Sequence, residues 1–338
     1  MQTQFVKITE ENKKEAIKKA GRIIKSGGLV VFPTETVYGL GADALNVKAV
    51  KRIFKAKGRP SDNPIIVHVG NASQLKLLAE NVSENHKKLS KKFWPGPLTL
   101  VFKKKREISD AVSGGLPTIA LRMPENTLAR ELIKSAGTPI AAPSANISGR
   151  PSGTSGKDIF DELKGKVEMV LDAGPSKIGV ESTVLKLTDD SALILRPGAV
   201  TKEMLQRVLK TFPVIFAKNK KDLHASPGTK YRHYAPEAKL EILSPLKILS
   251  RAETLEKKNK KIGIITAKKY EKYLKKYKPN VFILGDEKKL PQISRNLYKA
   301  LRFFDDKKID VILCQSFKEK GLGTAIMDRL KRASSENN

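Results

Sequence analysis

Apolar residues recur at helical spacing from the start of the chain. Over residues 12–26, Ala16, Ile17, Ala20, Ile23 and Ile24 fall on one face, and Gly27-Gly28 ends the run. The next run, LVVF (29–32), is continuous and short, which predicts a buried strand. Val47, Val50, Ile53 and Phe54 predict a second helix over 47–56, and IIVHV (65–69) a second strand. Two short helices are expected across 72–93, stopped by WPGP (94–97), where two prolines and a glycine exclude regular structure. Strands are predicted at LTLVF (98–102) and TIALR (118–122), a helix over 124–135, and strands at PIAA (139–142) and MVLDAG (169–174). TVLKL (183–187) and ALILR (192–196) read as a hairpin pair, and a helix near 201–210 closes this part of the chain. Strands alternating with helices give an α/β class with a mixed sheet.

The pattern changes at residues 211–238. SPGTKYRHYAP (226–236) has no period and is dense in Pro, Gly, Tyr and basic residues. Its Tyr, His and Arg content is more than a passive tether needs, so a functional loop is expected there. Beyond it, KIGIIT (261–266), NVFILG (280–285) and DVILC (310–314) are apolar strands separated by lysine-rich helices. That describes a smaller Rossmann-like domain. It has no G-x-G-x-x-G turn, so dinucleotide binding is not supported. The resulting division is 1–212, a linker or lid at 213–238, and 239–338.

Composition narrows the class. With 40% hydrophobic and 30% charged residues and no long apolar run, the 338-residue chain reads as globular, with no membrane partner. The first helix carries Glu10, Glu11 and Glu15 near its start, which is unlike a signal peptide or organelle presequence. One cysteine, Cys314, allows no internal disulfide and no metal cluster, so a reducing cytoplasm is expected. The formal net charge of +30 attracts anions, but it is spread over both halves without a basic tail. It points to an anionic partner without naming one.

The candidate chemistry lies where strands give way to loops. There is no P-loop, no H-E-x-x-H, no zinc spacing and no G-x-S-x-G elbow. FPTETVYGLGADA (32–44) leaves a strand with Thr34, Thr36 and Tyr38 and with glycines that admit a ligand close to the backbone. KAKGRPSDNPIIVH (55–68) sets Lys55, Lys57 and Arg59 on a Gly-Pro loop, a suitable clamp for phosphate, before a strand bearing His68. Taken alone, that loop is also a common solvated basic loop, and His68 is as readily a core histidine. APSANISGRPSGT (142–154) collects hydroxyls and small residues that can hold phosphate or ribose oxygens, although a plain surface loop has the same composition. IALRMP (119–124), GVESTV (179–184) and ILRPG (194–198) each place an Arg or Ser at the end of an apolar strand, where α/β sheets bind ligands.

Taken in order and spacing, with GLGTAIMDRL near the C-terminus, these segments resemble the threonylcarbamoyl-AMP synthase family in its long, two-domain form. The resemblance covers nearly the whole chain. It implies a YrdC-like twisted mixed sheet with a concave basic cavity, plus the smaller Rossmann-like domain. It implies catalytic roles for Lys57 and Arg59, and contacts to ATP from Arg59, Asn63, Thr118, Ser144, Asn146, Ser152 and Arg196. Thr36, His68, Arg122, the backbone of Ala142 and Ser182 would hold L-threonine, and Tyr234 would cover the nucleotide. The implied reaction condenses L-threonine, bicarbonate and ATP, with Mg2+, into threonylcarbamoyl-AMP. The product then passes to a threonylcarbamoyl transferase complex that modifies tRNA. His68 is the candidate general base by the ordinary histidine pKa. Two other readings compete: an RNA-binding module, and carbamoyl transfer as in hydrogenase maturation proteins, which carry further segments that this chain lacks.

Overall fold

The computed structural model describes residues 1–224, 226 and 234–334. They form two compact units. The first takes in Met1–Ser148, Ser152–Lys177 and the described part of Glu181–Lys230. The second takes in Gly149–Pro151, Ile178–Val180 and the described part of Tyr231–Asn338.

The first unit is built on a mixed sheet of twelve strands among the described residues. In chain order these are β1 Gln4–Lys7, β2 Val30–Phe32, β3 Gly39–Asp43, β4 Ile66–His68, β5 Ala79–Glu80 and β6 Leu98–Lys104. They continue with β7 Thr118–Arg122, β8 Ile140–Ala141, β9 Met169–Asp172, β10 Thr183–Leu187, β11 Ala192–Arg196 and β12 Val214–Phe216. The spatial order is β1-β9-β2-β3-β8-β4-β7-β6-β10-β11-β12, with β5 beside β6. The expected hairpin is present, with β10 and β11 antiparallel. Four strands lie where none was expected: β1, β3, β5 and β12. In particular, β3 runs through the GLGAD stretch that reads as a ligand-contacting turn.

Amphipathic helices cover the sheet because their apolar stripes have nowhere else to go. Helix Lys13–Lys25 buries Ala16, Ile17, Ala20 and Ile24 against Leu128, Ala129, Leu132 and Ile133 of helix Thr127–Ala136, and both pack on Val30, Phe32 and Met169. Gly21 is required at this crossing, because a Cβ there would collide with Ser135. Helix Val47–Lys57 contributes Val50, Ile53 and Phe54 to the larger cluster around Val31, Leu40, Val67 and Leu121. Gly58 ends that helix with φ +59°, the left-handed turn that separates Lys57 from Arg59.

The second unit holds a four-stranded parallel sheet. Its strands are β13 Lys239–Leu243, β14 Ile262–Thr266, β15 Val281–Ile283 and β16 Val311–Gln315, in the order β13-β16-β14-β15. β13 adds a strand ahead of the three expected from the sequence. Helix Leu290–Arg302 packs Ile293, Leu297, Tyr298 and Leu301 inward. The two short segments of this unit are tied in by Ser294, whose hydroxyl donates to the Ile178 carbonyl at 2.8 Å, and by the Ala235 amide on the Gly149 carbonyl at 2.9 Å. No described helix is long and apolar enough to cross a membrane.

Candidate functional site

The polar segments meet because the sheet zips them together. β4 and β7 are parallel neighbours whose register pairs His68 with Arg122 at their carboxyl ends. The first and third motifs run antiparallel: Leu40 N donates to Pro143 O at 2.9 Å, Ala145 N to Tyr38 O at 2.8 Å, and Gly39 bridges Ser144. The Ala142 amide is spent on the Ile66 carbonyl, at 2.9 Å.

Three groups of expected site residues emerge in the first unit. Around Arg122, Nη1 donates to Thr36 Oγ1 at 2.9 Å and Nε to Gly96 O at 3.3 Å, while Nη2 lies 2.6 Å from Glu35 Oε1. The WPGP turn, with its cis Trp94-Pro95 bond, therefore contributes a carbonyl to the site. In the second group, Lys57 Nζ donates to the carbonyls of Ser144 at 2.6 Å and Asn146 at 2.5 Å, and Ser144 Oγ donates to Asn146 Oδ1 at 2.6 Å. In the third, Arg196 donates through Nε and Nη2 to Ser182 O at 3.2 and 3.1 Å, and Ser182 Oγ sits 2.7 Å from Thr99 Oγ1.

The remaining expected residues are placed as follows. Arg59 is buried, and its Nη2 donates to the carbonyls of Asn63 at 3.2 Å and Pro64 at 2.8 Å. Asn63 is buried with no partner for either amide atom among the described residues. Ser152 Oγ donates to Glu181 Oε1 at 2.6 Å. Thr118 is half-buried at the start of β7. Tyr234 belongs to the second unit. Its backbone takes φ +66°, its ring stacks on Tyr298 at 5.4 Å, and Arg329 lies over it at 5.5 Å. The expected lid at 226–236 falls largely on residues 227–233, outside those described.

Two residues gain a structural context. Lys57, expected to be catalytic, donates its ammonium to the carbonyls of Ser144 and Asn146 and so braces one motif against another. The surroundings of His68, the candidate general base, lower its basicity. Burial, and then the charge of Arg122, push its pKa down to about 3, so at neutral pH the ring is neutral and weakly basic. Sequence reading also missed Glu35, Glu181 and Thr99. Each lies beside a named residue in a quoted motif or strand, but the contact that gives it meaning comes from a distant part of the chain.

Glu35 is the electrostatic counterpart of this site. Burial raises its pKa, but the charge of the adjacent Arg122 outweighs that and keeps the carboxyl below its ordinary range. It also lines a cleft of about 400 Å³ with Glu10, Lys13, Glu125, Asn126 and Ser176.

Residues 22–198 match the family model described as "Telomere recombination", and residues 200–335 match that described as "Threonylcarbamoyl-AMP synthase, C-terminal domain". The chain is 44% identical to the threonylcarbamoyl-AMP synthase of Pyrococcus abyssi over 98% of both chains. The chain belongs to the threonylcarbamoyl-AMP synthase family. The Bacillus subtilis member is also 44% identical, over 98% of this chain and 96% of its own. A crystal structure of the P. abyssi Sua5 protein complexed with L-threonine superposes with a TM-score of 0.87, at 43% identity, covering 99% of this chain and 98% of that one.

Proposed function

We propose that this chain is an L-threonylcarbamoyladenylate synthase, a nucleotidyltransferase that joins L-threonine, bicarbonate or its CO2, and ATP, and releases pyrophosphate. The observation that carries this reading is the likeness to threonylcarbamoyl-AMP synthases over nearly the whole chain, 44% identical over 98% of it to that of Pyrococcus abyssi. The buried groups suit it: among the described residues of the first unit, Lys57, Arg59, Arg122 and Arg196 are buried, and Asn63 is buried with no partner for its amide atoms. Basic side chains and a free amide are the groups that a polyanion such as a triphosphate needs.

In this reading Arg59, Asn63, Thr118, Ser144, Asn146, Ser152 and Arg196 face ATP, with Lys57 shaping the loop that carries Ser144 and Asn146. Arg122 receives the threonine carboxylate, since its planar fork matches two oxygens. Thr36, neutral His68, the Ala142 backbone and Ser182 surround the rest of the amino acid. The threonine amine adds to CO2 to form a carbamate. A carbamate oxygen then attacks the α-phosphorus, the bond to the β-phosphate breaks, and pyrophosphate carries away the electron pair. Both nucleophiles are substrates, which explains a site of cations, amides and hydroxyls without a catalytic triad. Holding the reactants together supplies ~7–11 kcal/mol at best. In this reading Mg2+ arrives on the ATP phosphates. The same reading carries a cytoplasmic location, a downstream threonylcarbamoyl transferase complex and a tRNA contact.

The test is the mass of the product formed from ATP, threonine and bicarbonate. Threonylcarbamoyl-AMP is expected, and its absence sinks the proposal. Serine should be the better of two poor replacements. It loses one methyl group, a difference of ~1–3 kcal/mol, whereas valine leaves buried hydrogen-bonding groups unpaired. Faster use of valine would overturn the pocket assignment.

A further inference from the structure

Arg122 is oriented by one turn of chain. Thr36 receives its Nη1 at 2.9 Å, and the preceding residue, Glu35, brings a carboxylate oxygen to 2.6 Å from Nη2. The turn is itself fixed. Thr34 Oγ1 accepts from the amides of Thr36 at 3.2 Å and Val37 at 3.3 Å, and donates to the Val37 carbonyl at 2.5 Å. Gly96 O anchors the far side of the guanidinium through Nε. The Arg122 and Glu35 side chains are only 4% and 2% exposed.

The ion pair is short but poorly aligned. Neither Glu35 oxygen, nor Arg122 Nη2, completes a hydrogen bond of good geometry among the described residues. The consequence is specific. Glu35 balances the charge of a buried arginine through one oxygen, and Nη2, which carries two N–H groups, keeps a donor for a substrate carboxylate. Without that balance an empty site would hold a desolvated cation, free to turn toward any carbonyl nearby.

We propose that Glu35 is a positioning residue for amino-acid recognition, holding Arg122 charged, buried and aimed so that its fork receives the substrate carboxylate. This inference rests on the reading that Arg122 binds that carboxylate. Glu35 itself acts only through the guanidinium.

The experiment is steady-state kinetics, with threonine and ATP varied separately, on the full-length wild type, Glu35→Gln, Glu35→Asp, Arg122→Lys and the double variant Glu35→Gln/Arg122→Lys. Glu35→Gln should raise KM for threonine about tenfold, the scale of one misaligned charge-assisted contact, while KM for ATP and kcat move little. Glu35→Asp, which keeps the charge, should recover part of the loss. In the Arg122→Lys background, Glu35→Gln should add little further, because a positioning residue has nothing left to position. An unchanged threonine KM in Glu35→Gln, with Arg122→Lys impaired, overturns the Glu35 proposal alone. A normal threonine KM in Arg122→Lys overturns the underlying reading of Arg122. A fall in kcat at constant KM would place Glu35 in the chemistry and reject positioning, as would an equal rise in both KM values. If Glu35→Gln does not fold, Glu35→Asp decides: a rise in threonine KM alone supports positioning, and no rise rejects it.

Discussion

The carboxyl ends of strands look different in the two units. In the second unit the buried polar groups at these ends satisfy one another. Gln315 Oε1 accepts from Thr266 Oγ1 at 2.8 Å and from the Ala267 amide at 2.9 Å, which closes the top of β14 and β16. In the first unit, β4 and β7 end in His68 and Arg122, and the groups around them are left open. His68 Nδ1 and both Glu35 oxygens are buried without hydrogen-bond partners among the described residues. Native interiors seldom leave buried polar atoms unmatched, so the contrast separates a sheet end finished for stability from one prepared for a ligand.

The most severe way to break this contrast is to remove Arg122. Arg122→Ala should abolish threonine-dependent turnover. It should also cost ~3–5 kcal/mol of stability, because Glu35 is left as an uncompensated buried charge. Denaturant unfolding measures this, and an unchanged midpoint would mean that the pair is not buried in solution. Next in size, Arg59→Ala should weaken ATP binding by about tenfold to a hundredfold, or ~1.5–3 kcal/mol, with threonine affinity nearly unchanged. Calorimetric titration with ATP decides it, and wild-type affinity would remove Arg59 from the nucleotide subsite.

The second unit supplies the control. Gln315→Leu strands the Thr266 hydroxyl and the Ala267 amide and should cost ~1–3 kcal/mol of stability while leaving both KM values intact. A changed KM would show that this strand end is not merely structural. The effect that is smallest at neutral pH is that of His68, which appears only in acid. His68 has a folded pKa of about 3 against an ordinary 6.5, so below 6.5 the unfolded chain binds the extra proton. Its contribution to stability is complete above 6.5 and declines as the pH falls toward 3, by about 1.4 kcal/mol per unit. His68→Gln should flatten that part of the stability–pH curve, and an unaltered slope would show that the ring is protonated in the fold. Glu35 contributes the same sign, since its lowered pKa gives stability above the ordinary carboxylate range that is lost as the pH falls through its folded value.

Much of this was legible in the sequence, for physical reasons. Helices such as Lys13–Lys25 and Val47–Lys57 bury one stripe and so carry a period. Arg122 and Arg196 close apolar runs, which marks them as strand-end residues before any coordinates. What escaped was set by partners remote in the chain. β3 is short and contains two glycines, so its strand character comes from pairing with β2 and β8, not from propensity. Helix Gly156–Leu163 is brief and follows a Ser/Gly loop, although Ser155 caps it by accepting from the Asp158 amide. The strut role of Lys57 depends on carbonyls of another motif. The pairing of Glu35 with Arg122 requires β7 to lie beside the turn after β2. Neither relation leaves a local pattern.

The central claim is that the open strand ends of the first unit gather ATP and threonine for one reaction. Pyrophosphate release by the purified full-length protein, with ATP, threonine or bicarbonate omitted in turn, tests it most directly. The account predicts release only when all three are present, and its collapse in Arg122→Ala. Release from ATP alone at the same rate, or none in the complete mixture, would contradict it.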